Sequence, residues 1–160
     1  MKACFTALIA LCLFGSALVA RAQVSAEASE KAHAKFDPKR DAAKDIADAV
    51  VLAKKQNKRI ILDVGGEWCG WCKKLDKFFE TDMESAEILK KKFIVVKVNY
   101  SQENENKTVL SKYPEIKGYP HLFVLDKNGK LLHSQDTGLL ETGDHHDHDK
   151  VLAFLTKWSG

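Results

Sequence analysis

Asp63-Val64-Gly65-Gly66-Glu67-Trp68-Cys69-Gly70-Trp71-Cys72-Lys73 changes character twice. It begins inside Arg59-Ile60-Ile61-Leu62-Asp63-Val64, a β-branched and nearly continuous apolar run, which is the pattern of a strand buried on both faces of a sheet. Asp63 is the anomaly in that run. Gly65-Gly66-Glu67-Trp68 breaks the strand, and from Cys69 the apolar residues Cys72, Leu75, Phe78 and Phe79 return at helical spacing. Two cysteines therefore open a helix that follows a buried strand.

That position has chemical consequences. Unpaired backbone N–H groups and the positive end of the helix macrodipole favour a thiolate over a thiol. Cys69, in the first turn, receives most of this field and is the predicted nucleophile, with Cys72 one turn further in as the resolving thiol. Lowering a thiol pKa from about 8.5 to about 7 is worth roughly 2 kcal/mol. A bare C-x-x-C also serves zinc, haem and copper. Structural zinc wants four ligands, and the other cysteines, Cys4 and Cys12, lie in an N-terminal apolar run. Haem attachment needs a His directly after the second Cys, where this chain has Lys73. An inert staple gains little, because so short a loop hardly constrains the unfolded chain.

Working outward, Asp37-Pro38 reads as an N-cap followed by Pro at the first helical position. Ala43, Ile46, Ala47, Val50 and Val51 then give a helical face that ends at Gln56-Asn57. A second short helix is expected over about 84–91, and Phe93 to Val98 is the next strand, with Lys97 as its one charged residue. Two strands joined by a helical connection make a parallel βαβ unit. A helix is expected near Asn104 to Lys112, and Leu122–Leu125 and Lys130–His133 flank Asp126-Lys127-Asn128-Gly129 as a hairpin. Val151, Leu152, Phe154, Leu155 and Trp158 form one face of a terminal helix.

The N-terminus reads differently. Met1-Lys2 leads into an apolar run from Ala3 to Ala20 and the triplet Ala20-Arg21-Ala22, the pattern of a signal peptide over residues 1–22 cleaved after Ala22; an uncleaved anchor is the alternative. Residues 23–36, rich in Ala, Ser, Glu and Lys, are expected to form a flexible leader, and 37–160 one domain. Cleavage removes Lys2 and Arg21 and no acid, taking the net charge from +3 to +1. With no phosphate-binding footprint, nucleic acid is not an expected partner. A periplasmic or secreted location is the expectation that follows from the signal peptide.

The quoted segment resembles the active site of the thioredoxin family, in which a strand ending in a buried Asp leads into W-C-G-x-C-K. Lys97-Val98-Asn99 resembles that family's next strand, Gly118-Tyr119-Pro120 its active-site proline loop and Lys127-Asn128-Gly129 its hairpin, in the same order. The resemblance covers roughly Asp41 to Trp158. It implies an α/β thioredoxin-like fold, a central mixed β-sheet built from βαβ plus a β-hairpin and flanked by helices. It also implies a cis Pro120 facing the dithiol, Asp63 as a buried proton acceptor for Cys72 and Lys97 as its neighbour. The implied activity is that of an exported thiol–disulfide oxidoreductase, a reductase or isomerase, that needs no cofactor. Protein thiols and disulfides are the expected substrates; in an oxidising compartment a reductase or isomerase is expected to need a membrane redox partner that re-reduces it, and a monomer is expected.

Two departures from the family put aromatic surface beside the dithiol: Trp71 stands where Pro is usual, and Tyr119 where a small β-branched residue is usual. They either pack on each other or, with Pro120, form a binding surface for apolar segments of unfolded or misoxidised proteins. Trp68 reads as structural packing beside the site and is counted with Trp71, Tyr119 and Pro120 as a candidate substrate-binding residue. Asp144-His145-His146-Asp147-His148-Asp149 has ligand types that suit zinc, copper or nickel, yet a solvated loop with Asp147 or Asp149 as N-cap explains it without a metal. The rival function is a periplasmic copper carrier using Cys69, Cys72 and this His-rich loop.

Overall fold

The structure is a computed structural model that describes residues 35–160. The expected signal peptide over residues 1–22, with Cys4 and Cys12, and the expected leader as far as residue 34 lie outside the described residues.

Helix α1 (Ala42–Gln56) begins at Asp41, whose carboxylate accepts the Lys44 N–H, and ends at Asn57 in a left-handed cap. The start corrects the expectation for Asp37. Asp37-Pro38 instead makes its own turn, Asp37 taking the Lys39 N–H on its side chain and the Arg40 N–H on its carbonyl. Strand β1 (Arg59–Gly65), helix α2 (Gly70–Thr81), helix α3 (Met83–Lys92) and strand β2 (Phe93–Asn99) follow. Asp82 both ends α2 and caps α3. Helix α4 (Lys107–Leu110) is a single turn, shorter than the expected helix near Asn104 to Lys112. Side chains explain the difference: Asn104 and Asn106 hydrogen-bond to nearby backbone, with Asn106 at φ 48°, so they hold a loop instead of a helix.

Strands β3 (His121–Leu125) and β4 (Leu131–Asp136) form the expected hairpin. Its turn is wider than a two-residue Asn-Gly turn. Gly129 alone in it has positive φ (86°), while the Asp126 carboxylate accepts the N–H groups of Asn128 and Lys130. A 3-10 helix (Thr137–Leu140) leads to a small hairpin, β5 (Glu141–Thr142) and β6 (His145–His146), before helix α5 (His148–Lys157).

The sheet order is β2-β1-β3-β4, with β1 parallel to β2 and antiparallel to β3, so β1 lies inside the sheet. Alternation along β1 sorts its side chains. Ile60, Leu62 and Val64 join the cluster with α1, while Ile61 joins the one with Leu75 of α2, Leu89 of α3 and Leu155 of α5. Each such burial is worth about 1.5–3 kcal/mol. Asp63 shares the parity of Ile61 and so belongs to the face that carries the cysteine helix.

Candidate active site

Cys69 is the N-cap of α2, and it is disulfide-bonded to Cys72. The Cys72 N–H donates to Cys69 Sγ at 3.0 Å, so one of the helix's free donors is aimed at that sulfur. Both residues are buried in this oxidised form, Cys69 to 4% and Cys72 to 1% exposure. The backbone beneath must be bare. A β-carbon on Gly65 would come within 2.5 Å of Cys72 Sγ, which makes glycine necessary where the strand ends.

Asp63 is 1% exposed, and its Oδ2 accepts from Lys97 Nζ at 2.6 Å across the β1–β2 register that pairs the two residues. Its Oδ1 has no partner among the described residues. Lys97 also donates to Asp76 of α2, a group that lies on the polar side of an amphipathic helix and that the sequence did not single out. Burial disfavours the ammonium, but the facing carboxylates of Asp63 and Asp76 outweigh it and hold Lys97 above the ordinary lysine range. Burial, with the Asp63 charge added, raises Asp76 despite the pull of Lys97. The site thus holds a fixed cation between two carboxylates, one of which keeps a free oxygen.

The Tyr119–Pro120 bond is cis. Trp71 and Tyr119 both pack on the cysteine cluster but take different neighbours. Tyr119 stacks on Tyr100 at 4.8 Å and meets the Trp68 ring edge at 5.8 Å. Trp71 sits under Lys74 Nζ at 4.3 Å and against the His146 ring at 5.5 Å. Trp68 is 59% exposed and pinned by its indole N–H, which donates to the Tyr100 carbonyl at 2.7 Å.

The His-rich segment corrects the reading of a solvated loop. It forms the β5–β6 hairpin and the start of α5, with Asp147 as N-cap. Its histidines diverge: His145 faces Asp144, His148 bonds Asp82 at 2.7 Å, and His146 is 4% exposed beside Trp71. Among the described residues no group of three or more His, Cys, Asp or Glu is placed to hold a metal ion.

A family model described as thioredoxin-like matches residues 41–127. The chain belongs to the thioredoxin-like family. A thiol:disulfide interchange protein DsbD of Actinobacillus pleuropneumoniae is 31% identical over 91 residues, 56% of this chain and 15% of that protein. A protein disulfide-isomerase 1 of Dictyostelium discoideum is 35% identical over 72 residues, 45% of this chain and 19% of its own. The chain thus spans less than a fifth of these two relatives. Among solved structures, a disulphide isomerase from Xylella fastidiosa superposes with a TM-score of 0.67 at 25% identity, covering 76% of this chain and 94% of that one. The chain thus shares the thioredoxin-like fold and a C-x-x-C pair at the start of a helix with proteins named as disulfide interchange and disulfide isomerase proteins.

Two contributors had no signal in the sequence. Asp76 reads as an ordinary exposed acid, and Phe36, placed by composition at the end of the leader, is 3% exposed against the two cysteines. His146 was visible only as part of a His-rich run.

Proposed function

We propose that this chain is an exported thiol–disulfide oxidoreductase that acts on protein cysteines as a reductase or isomerase, with Cys69 as nucleophile and Cys72 as resolving thiol. The observation that carries the reading is the dithiol at the start of α2 beside a buried Asp63–Lys97 pair with one carboxylate oxygen free. In the reduced protein the Cys69 thiolate attacks a substrate disulfide. A Cys69–substrate bond forms, the substrate S–S bond breaks, and one substrate sulfur leaves as thiolate. Cys72 then gives its proton to Asp63 and attacks Cys69 Sγ, closing the intramolecular disulfide and releasing the second substrate sulfur as a thiolate that takes a proton from water. Two electrons pass from the dithiol to the substrate.

Pro120, Tyr119, Trp68 and Trp71 form the rim that meets the substrate. Next to Tyr119 lies a cleft of about 460 Å³ whose lining mixes Tyr100, Leu110, Tyr113 and Ile116 with Glu105, Lys107 and Glu115, which suits a segment of an unfolded chain that carries both apolar and charged side chains. In an oxidising compartment a reductase needs a membrane partner to return it to the dithiol form. The monomeric state belongs to the same reading.

The experiment is alkylation of the reduced protein at neutral pH with one equivalent of reagent, together with substrate trapping by Cys72→Ser. Cys69 is expected to react first and to hold the trapped mixed disulfides. Equal labelling, or trapping through Cys72, overturns the assignment. A glutathione titration tests direction. Glu67 places an acid two residues before Cys69, which opposes the thiolate, so a potential near thioredoxin's, about −270 mV, is expected. A value above about −170 mV would make the protein a disulfide donor.

A further inference from the structure

Phe36 precedes every helix and strand described, yet it packs where the chemistry is. It is 3% exposed and shares a buried cluster with Cys69 and Cys72. Its ring lies 4.4 Å from Lys97 Nζ, and its backbone N–H donates to Glu67 Oε1 at 3.1 Å. The residue is therefore held twice, by the cation of the Asp63 pair and by the loop that leads into Cys69. Gly65 opens the space in which this happens. A β-carbon there would lie 2.5 Å from Cys72 Sγ and 3.0 Å from Phe36 Cζ, so the inner sulfur and the phenyl ring sit over the same bare stretch of backbone.

An apolar ring in this position keeps water from Cys72 and from the Asp63–Lys97 pair. Desolvation disfavours the charged form of a thiol, and a thiol that stays protonated is a poor nucleophile. We propose that Phe36 is a positioning residue of the reaction: it holds Cys72 neutral and out of reach of external electrophiles, so that its proton leaves only once Cys69 is tied up in a mixed disulfide. The inference rests on the reading above that Cys72 resolves. It accounts for the one-way order of the two steps, because a Cys72 that ionised freely would compete with Cys69 for substrate.

The test uses the full reduced chain and iodoacetamide, with the labelled cysteine located by mass spectrometry, in Phe36→Ala and Phe36→Leu. In Phe36→Ala, Cys72 is expected to label about tenfold faster, with Cys69 changed less than about twofold. The pH profile for Cys72 should also move to lower pH, since a hydrated thiol ionises more readily; a mere loosening of packing would raise the rate equally at every pH. Phe36→Leu, which keeps an apolar cover, should restore the slow labelling. Unchanged Cys72 labelling in Phe36→Ala, a pH profile that does not move, or a Leu variant as fast as Ala overturns the proposal. Should the Ala variant not fold, Phe36→Gln, which keeps much of the volume but brings a polar group and water to Cys72, is read the same way. Failure of the parent reading shows separately, as a wild-type chain in which Cys69 has no advantage and traps no substrate.

Discussion

Asp63 and Lys97 were legible because each is a charge inside an apolar strand, and such a charge must be paired. Asp76 was not, because an acid on the polar side of an amphipathic helix looks the same whether it meets water or a buried cation. The third member changes what substitutions do. Asp63→Asn leaves Lys97 bound to Asp76, so the fold should persist while release of the mixed disulfide slows; stopped-flow resolution near neutral pH checks this, and an unchanged rate would return Asp63 to a structural role. Lys97→Met is the harsher change. It leaves two carboxylates facing each other without a cation, one of them 1% exposed, and is expected to cost about 3–5 kcal/mol by urea denaturation. Equal stability of the Asn and Met variants would show that Asp76 does not share the cation.

Among the elements, the long amphipathic and continuous apolar segments could be read from periodicity, because one face or both had to be buried. What could not be read was local: Asp37-Pro38 and the Asn104–Asn106 stretch satisfy their own backbone, so competition between turn and helix decided them. The β5–β6 hairpin was hidden by its polar residues. Helix α5 is tied to the junction of α2 and α3 by His148, whose Nδ1 lies 2.7 Å from Asp82 Oδ2. The hydrogen bond to Asp82 raises His148 above the ordinary histidine range. A raised folded-state value means stability that is fully present below about pH 6.5 and lost as pH rises through the raised value. His148→Ala should therefore lower Tm most between about pH 5 and 6.5, the gap from wild type narrowing toward pH 8 in calorimetry. A gap that widens with pH would contradict the pairing.

For the molecule as a whole, two other histidines act with the opposite sign. His121 and His146 are each 4% exposed, and burial holds both below the ordinary histidine range. Below about pH 6.5 the unfolded chain binds protons that the folded chain resists, so stability falls as pH drops. Replacing both with Phe should flatten the fall in Tm between about pH 6.5 and 4.5, and an unaltered slope would show that other groups govern it. The placement of Cys69 and Cys72, with a sequence separation of 3, has a last consequence. Folding and oxidation form a closed thermodynamic cycle, in which each 30 mV between the potentials of the folded and unfolded chain equals about 1.4 kcal/mol between the stabilities of the oxidised and reduced forms. A bridge this short adds little loop entropy, so that difference measures what the fold does to the two sulfurs. In a reductant the oxidised form must be the one that melts higher, and a pair of melting curves therefore ranks this protein as acceptor or donor of electrons without any substrate being known.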